Sequence, residues 1–194
     1  MSQRLADILE ASEALFSEKG YHDTSMQDLA EALGLQRGSL YAHIRSKEDL
    51  LYAIVDRGAD EFLRVLRPLA ASDLPPDERL REALCRHAGV VAQNLRAATV
   101  FFHEWRFLED KRRARILAKR DAYEDIVKRI LEDGVRTGVF RPHDTALSAK
   151  LVLSAGNWLY QWYRPEGSLR AEEIADVYAS LLIEGLRAPE GGAP

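Results

Sequence analysis

The chain has 194 residues, 46% hydrophobic and 30% charged, enough for one or two small domains with a real core. Its formal charge of -4 excludes a protein that coats nucleic acid non-specifically, so any DNA contact must be local. The single cysteine, Cys85, excludes an internal disulfide and reads as a small buried thiol; no apolar run reaches the length of a membrane span, and the mixed, charged N-terminus carries no signal-peptide pattern. A cytoplasmic protein without a membrane partner is expected.

The pattern predicts an all-α chain. A first helix spans Gln3 to Lys19, with Leu5, Ile8, Leu9, Ser12, Leu15 and Phe16 on one face, and Gly20 ends it. Thr24 or Ser25 caps the second helix, and Ser25 with Asp28 is an acidic capping box. Met26, Leu29, Ala30 and Leu33 form its apolar side, and Gly34 marks the turn. A third helix starts near Gln36 or Arg37 and carries Leu40 and Ile44 inward. This is the spacing of a helix-turn-helix, whose second helix enters the DNA major groove.

The surface of that third helix suits DNA. Between Glu31 and Glu48 there is no acid, while Arg37, Arg45 and Lys47 supply charge and Gln36, Ser39, Tyr41 and His43 supply hydrogen bonds. Gly38 and Ala42 are small enough for close backbone approach. Arg37, Tyr41 and His43 are expected in the groove and Lys47 at a phosphate; Gln36, Gly38 and Ser39, with Thr24 and Ser25 at the start of the second helix, complete the candidate set. A short two-helix packing unit on a solvated surface would carry many of the same residues. Acids outnumber cations over residues 1–46, so only one side of the unit is basic.

Ser46 and Asp49 cap a helix that reaches about Leu66 and is closed by Pro68; it links residues 1–46 to residues 47–190. After a loop at Ser72 to Pro76, a helix from Asp77 carries Leu80, Leu84, His87, Val91 and Leu95, and a shorter one carries Val100 to Leu108. Long helices follow from Lys111 to Gly134, from the cap Asp144 to Tyr163, and from Ala171 to Leu186; residues 191–194 are expected to fray. No strand is expected. The last helix has two apolar stripes, an arc too wide for one contact within its own domain. With the helix before it, it predicts a four-helix interface about a two-fold axis, formed by Leu151, Ala155, Leu159, Val177, Tyr178, Leu181 and Leu182; the alternative is two buried helices in the core of a monomer.

No catalytic site can be assembled. His103-Glu104 lacks the second histidine of a zinc-protease helix, and the five histidines make no metal cluster. Phe101, Trp105, Tyr123, Trp158 and Trp162, with Asn157 and Gln161, read equally as core or as the walls of a small-molecule pocket. From Arg106 to Arg120 a run of cations, among them Arg112, Arg113 and Arg115, is opposed only by Glu109 and Asp110. A solvated helix face explains such a run; the alternative is a seat for a phosphorylated ligand.

The first fifty or so residues resemble the DNA-binding domain of the TetR family of transcriptional repressors. The matching pieces are Leu15-Phe16, Lys19-Gly20-Tyr21, Thr24-Ser25-Met26, Leu29-Ala30, Gly34, Gly38-Ser39-Leu40-Tyr41, His43 and Lys47-Glu48 with Leu50. Gln36 stands where the family usually has Ser or Thr, and Ile44 where it has Phe. Asn157-Trp158, Trp162-Tyr163-Arg164-Pro165, Gly167 and Glu173-Ile174-Ala175 resemble members that control fatty-acid, steroid-ring or phenylacetate breakdown. The resemblance implies a homodimeric repressor without a resident cofactor. It would bind a palindromic double-stranded operator and be released by a small-molecule inducer, an acyl-coenzyme A ester. Two alternatives stand beside it. One is a repressor of the same fold that senses a hydrophobic drug-like cation, for which Glu104 is the available acid. The other is a helical enzyme or adaptor that does not bind DNA.

Overall fold

A computed structural model of the chain describes residues 3–188, so the expectation for residues 191–194 lies outside it. Helices α1 (Gln3–Lys19), α2 (Met26–Ala32) and α3 (Arg37–Tyr41) are followed by α4 (Lys47–Ala70), α5 (Pro76–Gln93) and α6 (Leu95–His103). A 3-10 turn at Trp105–Phe107 leads to α7 (Asp110–Arg136), α8 (Thr145–Asn157), α9 (Leu159–Trp162) and α10 (Ala171–Leu186). Among the described residues the only extended pairing is an isolated bridge between Phe140 and Arg187. The fold is all-α, as the periodicity requires.

Local signals set most boundaries. Ser25 caps α2: its hydroxyl accepts the Asp28 N–H at 3.1 Å, and the Asp28 carboxylate accepts the Ser25 N–H at 2.7 Å. The Ser25 hydroxyl donates to the same carboxylate at 2.6 Å, and this bond, with the Ser25 N–H and then Lys19 behind it, pulls the Asp28 pKa down to about 2. Pro76 is the first residue of α5, where its missing N–H has no helical partner to lose.

Two boundaries differ from expectation. Helix α4 continues past Pro68 to Ala70, because a proline in the last turn forfeits only one hydrogen bond. The helix expected from Asp144 to Tyr163 is two helices. Gly156 and Asn157 hold a helix weakly, and at Trp158 the ladder tightens: the Gln161 N–H bonds the Trp158 carbonyl, three residues back, at 3.1 Å.

The chain packs as two units. The first comprises residues 1–60 and 94–119, and the second residues 61–93 and 120–194. In the first, α1 lies against α2 and α6. Its core is Ile8, Leu9, Phe16, Leu29, Leu40, Leu50, Leu51, Ile54 and Val55 with Phe101, Leu108 and Ile116. The buried Glu13 carboxylate pairs with Arg57 of α4 and accepts from Asn94 at 2.6 Å; Asn94 also caps α6. In the second unit α5 packs against α8, α9 and α10. Leu80, Leu84 and Val91 of α5 share its core with Val127, Ile130 and Leu131 of α7 and with Ile174, Ala175 and Ala179 of α10. The chain crosses between units within α4, after Gln93, and within α7.

Candidate functional site

The helix-turn-helix is built as its residues dictate. Leu33 ends α2, and the Leu35 N–H returns to the Ala30 carbonyl at 2.8 Å. Gly34 makes the turn at φ +63, where a side chain would be strained. Gln36 occupies the cap of α3 without a side-chain cap bond, so its amide is left for an outside partner. Leu40 and Ile44 are buried, which turns Gln36, Arg37, Gly38, Ser39, Tyr41, Ala42, His43 and Arg45 outward. Arg37 Nη2 donates to the Tyr41 hydroxyl at 3.4 Å, with its guanidinium 5.7 Å from the ring centroid. Nothing stands within 4 Å of where a Cβ on Gly38 would lie.

Two residues expected at DNA face inward. Thr24 is 1% exposed and its hydroxyl donates to the Gly20 carbonyl at 2.9 Å. Lys47 donates to the carbonyls of Tyr21 and Thr24, each at 2.7 Å, and of His22 at 3.3 Å. Ser25 is exposed but serves as the α2 cap.

The candidate ligand residues divide between the units. Phe101, Trp105, Arg106, Arg112, Arg113 and Arg115 belong to the first, and Arg120, Tyr123, Asn157, Trp158, Gln161 and Trp162 to the second. Much of the cation run pairs with acids of the chain itself. Arg112 pairs with Asp49, lies 3.3 Å from Glu48, and covers the Tyr52 ring at 5.2 Å. One heptad on, Lys119 bridges Asp56 at 2.6 Å and Asp60 at 2.7 Å. Arg113 pairs with Asp110, while Arg106 and Arg115 are exposed and in no ion pair among the described residues. Phe101 is buried, with its ring 5.0 Å from that of Phe102. Glu104, the acid on which a cation-sensing pocket would depend, accepts the Tyr21 N–H at 3.3 Å instead.

In the second unit Trp158 is 60% exposed and Trp162 41%. Leu159, expected at the dimer interface, is buried in the chain's own core. The break after Asn157 rotates the two residues: Leu159 goes in and Trp158 out. Leu147, Leu151 and Trp158 with Val177 and Leu181 leave a large apolar face exposed on α8 and α10, which pack side by side. Ala155, Tyr178 and Leu182 are half-buried beside it.

Tyr123 is buried, and its hydroxyl bonds His87 Nδ1, a partner that helical spacing could not reveal. The His87 ring lies 4.9 Å from Phe62, and Phe62 lies 5.6 Å from Tyr123. Gly156 of α8 closes the layer: a Cβ there would stand 2.5 Å from His87 Cδ2, so only glycine fits. Burial pulls the His87 pKa down to about 4, against a hydrogen bond with the Gly156 backbone, and pushes the Tyr123 phenol up. His87 is thus neutral at pH 7. Below its ordinary value of 6.5 the unfolded chain takes up a proton that the folded one refuses, so stability is full above pH 6.5 and falls toward pH 4. The expected loss between pH 7.5 and pH 5 is about 2 kcal/mol. Urea midpoints of wild type and His87→Gln measured across that range should diverge; parallel curves would refute the burial argument.

Comparison with known proteins decides the family. Residues 8–54 match the bacterial regulatory proteins of the tetR family, and residues 73–186, more than half of the chain, match the tetracyclin repressor-like C-terminal domain. The chain belongs to the TetR family. The TetR-family chain is 28% identical over 190 residues to the transcriptional repressor KstR2 of Rhodococcus jostii RHA1, covering 97% of this chain and 93% of that one. PfmR of Thermus thermophilus is 39% identical with a TM-score of 0.85, over 93% of this chain and 98% of its own. AibR, solved in complex with isovaleryl coenzyme A and operator DNA, is 32% identical with a TM-score of 0.84, over 93% and 98%. The TetR-family chain is a homodimeric TetR-like repressor with a C-terminal ligand-binding domain, a DNA-binding regulator and not an enzyme. No helix among the described residues is long and apolar enough to cross a membrane.

Proposed function

We propose that the protein represses transcription from a palindromic operator and is released by an acyl-coenzyme A ester. Residues 1–46 serve as the DNA-reading part, and the exposed face of α3 carries this reading. Gln36, Arg37, Gly38, Ser39, Tyr41 and His43 all point outward, and no acid lies among them. Such a face can read base edges while its cations answer phosphates. A two-fold dimer presents two such helices, so the half-site centres should lie about 34 Å apart or a multiple of it. Dimerisation falls to the exposed apolar face of α8 and α10.

The effector class rests on the relationship to AibR, whose structure contains isovaleryl coenzyme A and operator DNA. Of the cation run, Arg106, Lys111 and Arg115 are exposed and in no ion pair among the described residues, so they are the groups placed to answer phosphate oxygens.

Calorimetry with a panel of acyl-coenzyme A esters and the matching free acids tests the effector class. An ester should bind at least tenfold tighter than its free acid, and should lower operator affinity by about 5- to 150-fold. Operator DNA must then lower ester affinity by the same factor. Esters that do not bind, or free acids that bind as tightly, would remove the acyl-coenzyme A assignment.

A further inference from the structure

The loop Gly20–Thr24 joins α1 to α2 and is held from two sides. From α4, the Lys47 ammonium takes the carbonyls of Tyr21 and Thr24 at 2.7 Å each and that of His22 at 3.3 Å, and lies 4.4 Å from the Tyr21 ring centroid. An ammonium has three protons, and three carbonyls account for them. From the segment after α6, Glu104 accepts the Tyr21 N–H at 3.3 Å. The Phe107 ring meets His22 edge-on at 4.1 Å and stacks over Tyr21 at 6.1 Å. The residue after Thr24 is Ser25, the cap of α2. Whatever places the Thr24 carbonyl therefore places the start of α2, and α2 with its turn places α3.

We propose that Gly20–Thr24 is the joint that sets the angle of the α2–α3 pair, with Lys47 as its positioning residue and not a phosphate contact. The proposal rests on reading α3 as the operator-facing helix. To reach a phosphate, Lys47 would have to leave three charge-assisted hydrogen bonds, each stronger than a neutral one. Burial also pulls the Lys47 pKa down, against the fields of Asp23 and Asp28, as befits an ammonium withdrawn from water. Glu104 and Phe107 hold the same loop from the other side, so the joint is fixed both by the helix that follows α3 and by the segment between α6 and α7.

The test uses the full-length dimer, a duplex enriched on the wild-type protein from a randomised library, and an unenriched duplex. Lys47→Met should weaken binding of the enriched duplex about tenfold or more. It should leave the unenriched duplex unchanged and the slope of log affinity against log salt unaltered. A phosphate contact would weaken both duplexes alike and reduce that slope by about 1, and this result would overturn the proposal. Glu104→Ala is the second variant. Removing an acid raises DNA affinity if electrostatics alone operates. The joint demands the opposite, a loss confined to the enriched duplex; raised or unchanged affinity overturns it. Amide hydrogen exchange without DNA gives an independent readout. In Lys47→Met, residues 21–28 should exchange faster while α1 keeps its protection, and unchanged exchange at 21–28 refutes the clamp. If the wild type enriches no duplex, the operator reading fails, and the exchange result still judges the joint.

Discussion

Glutamate at Leu181 should turn the protein into a folded monomer that no longer holds its operator. Leu181 is 64% exposed on α10, one turn after the exposed Val177, and faces solvent beside Leu147 and Leu151 of α8 and Trp158 just after it. A carboxylate there costs nothing in an isolated chain, because water reaches it. In the homodimer it would be buried against apolar groups without a partner, a cost of several kcal/mol that appears twice by symmetry. A monomer engages one half-site at a time and loses the effective concentration supplied by the second, about 10²- to 10⁴-fold in affinity. Light scattering should show half the wild-type mass, with an unchanged circular dichroism spectrum. Leu117→Glu is the control, since Leu117 is an exposed leucine of α7 outside this face. Leu182 is the poorer probe, because its side chain is half-buried in its own unit and a charge there would unfold the chain as well. A Leu181→Glu protein that remains dimeric would move the interface elsewhere.

Tyr41→Ala should abolish operator recognition while leaving the dimer intact. Tyr41 is 43% exposed, and its polar contact within the chain is the Arg37 guanidinium. Truncating it takes nothing from the core formed by Leu40 and Ile44, so the fold has no reason to change. A side chain at a base edge contributes about 1–3 kcal/mol per half-site. Two half-sites double this to about 2–6 kcal/mol, or roughly thirty-fold to 10⁴-fold in affinity. Fluorescence anisotropy on a duplex enriched by the wild type measures the loss directly. Wild-type affinity in the variant would take Tyr41 out of the groove and point to another face of the unit.

The helix-turn-helix was legible in the sequence because its signals are local. The Ser25–Asp28 box spans four residues, Gly34 needs only its own φ, and the spacing of Leu40 and Ile44 decides by itself which side of α3 meets solvent. The apolar stripe on α10 was readable for the same reason: a 3.6-residue period fixes a face without reference to neighbours. Other assignments depended on partners far along the chain. Lys47 looks like any exposed cation until the carbonyls of residues 21–24 fold against it. Arg112 stands in a run that reads as a solvated face or a phosphate seat, and the run itself does not show that Glu48 and Asp49 of α4 stand opposite Arg112, or Asp56 and Asp60 opposite Lys119 at the same spacing of seven. Trp158 lies outward and Leu159 inward because one tightened turn after Asn157 rotates everything beyond it, and helix period cannot register a break that weak formers only permit. His87 gives no sign of its role in its own segment, since α5, α7 and α8 must first pack to bring Tyr123 and Gly156 to its ring. Periodicity and capping act over a few residues and follow from composition in order. Charge pairing and burial act through space, and only the packed chain decides them.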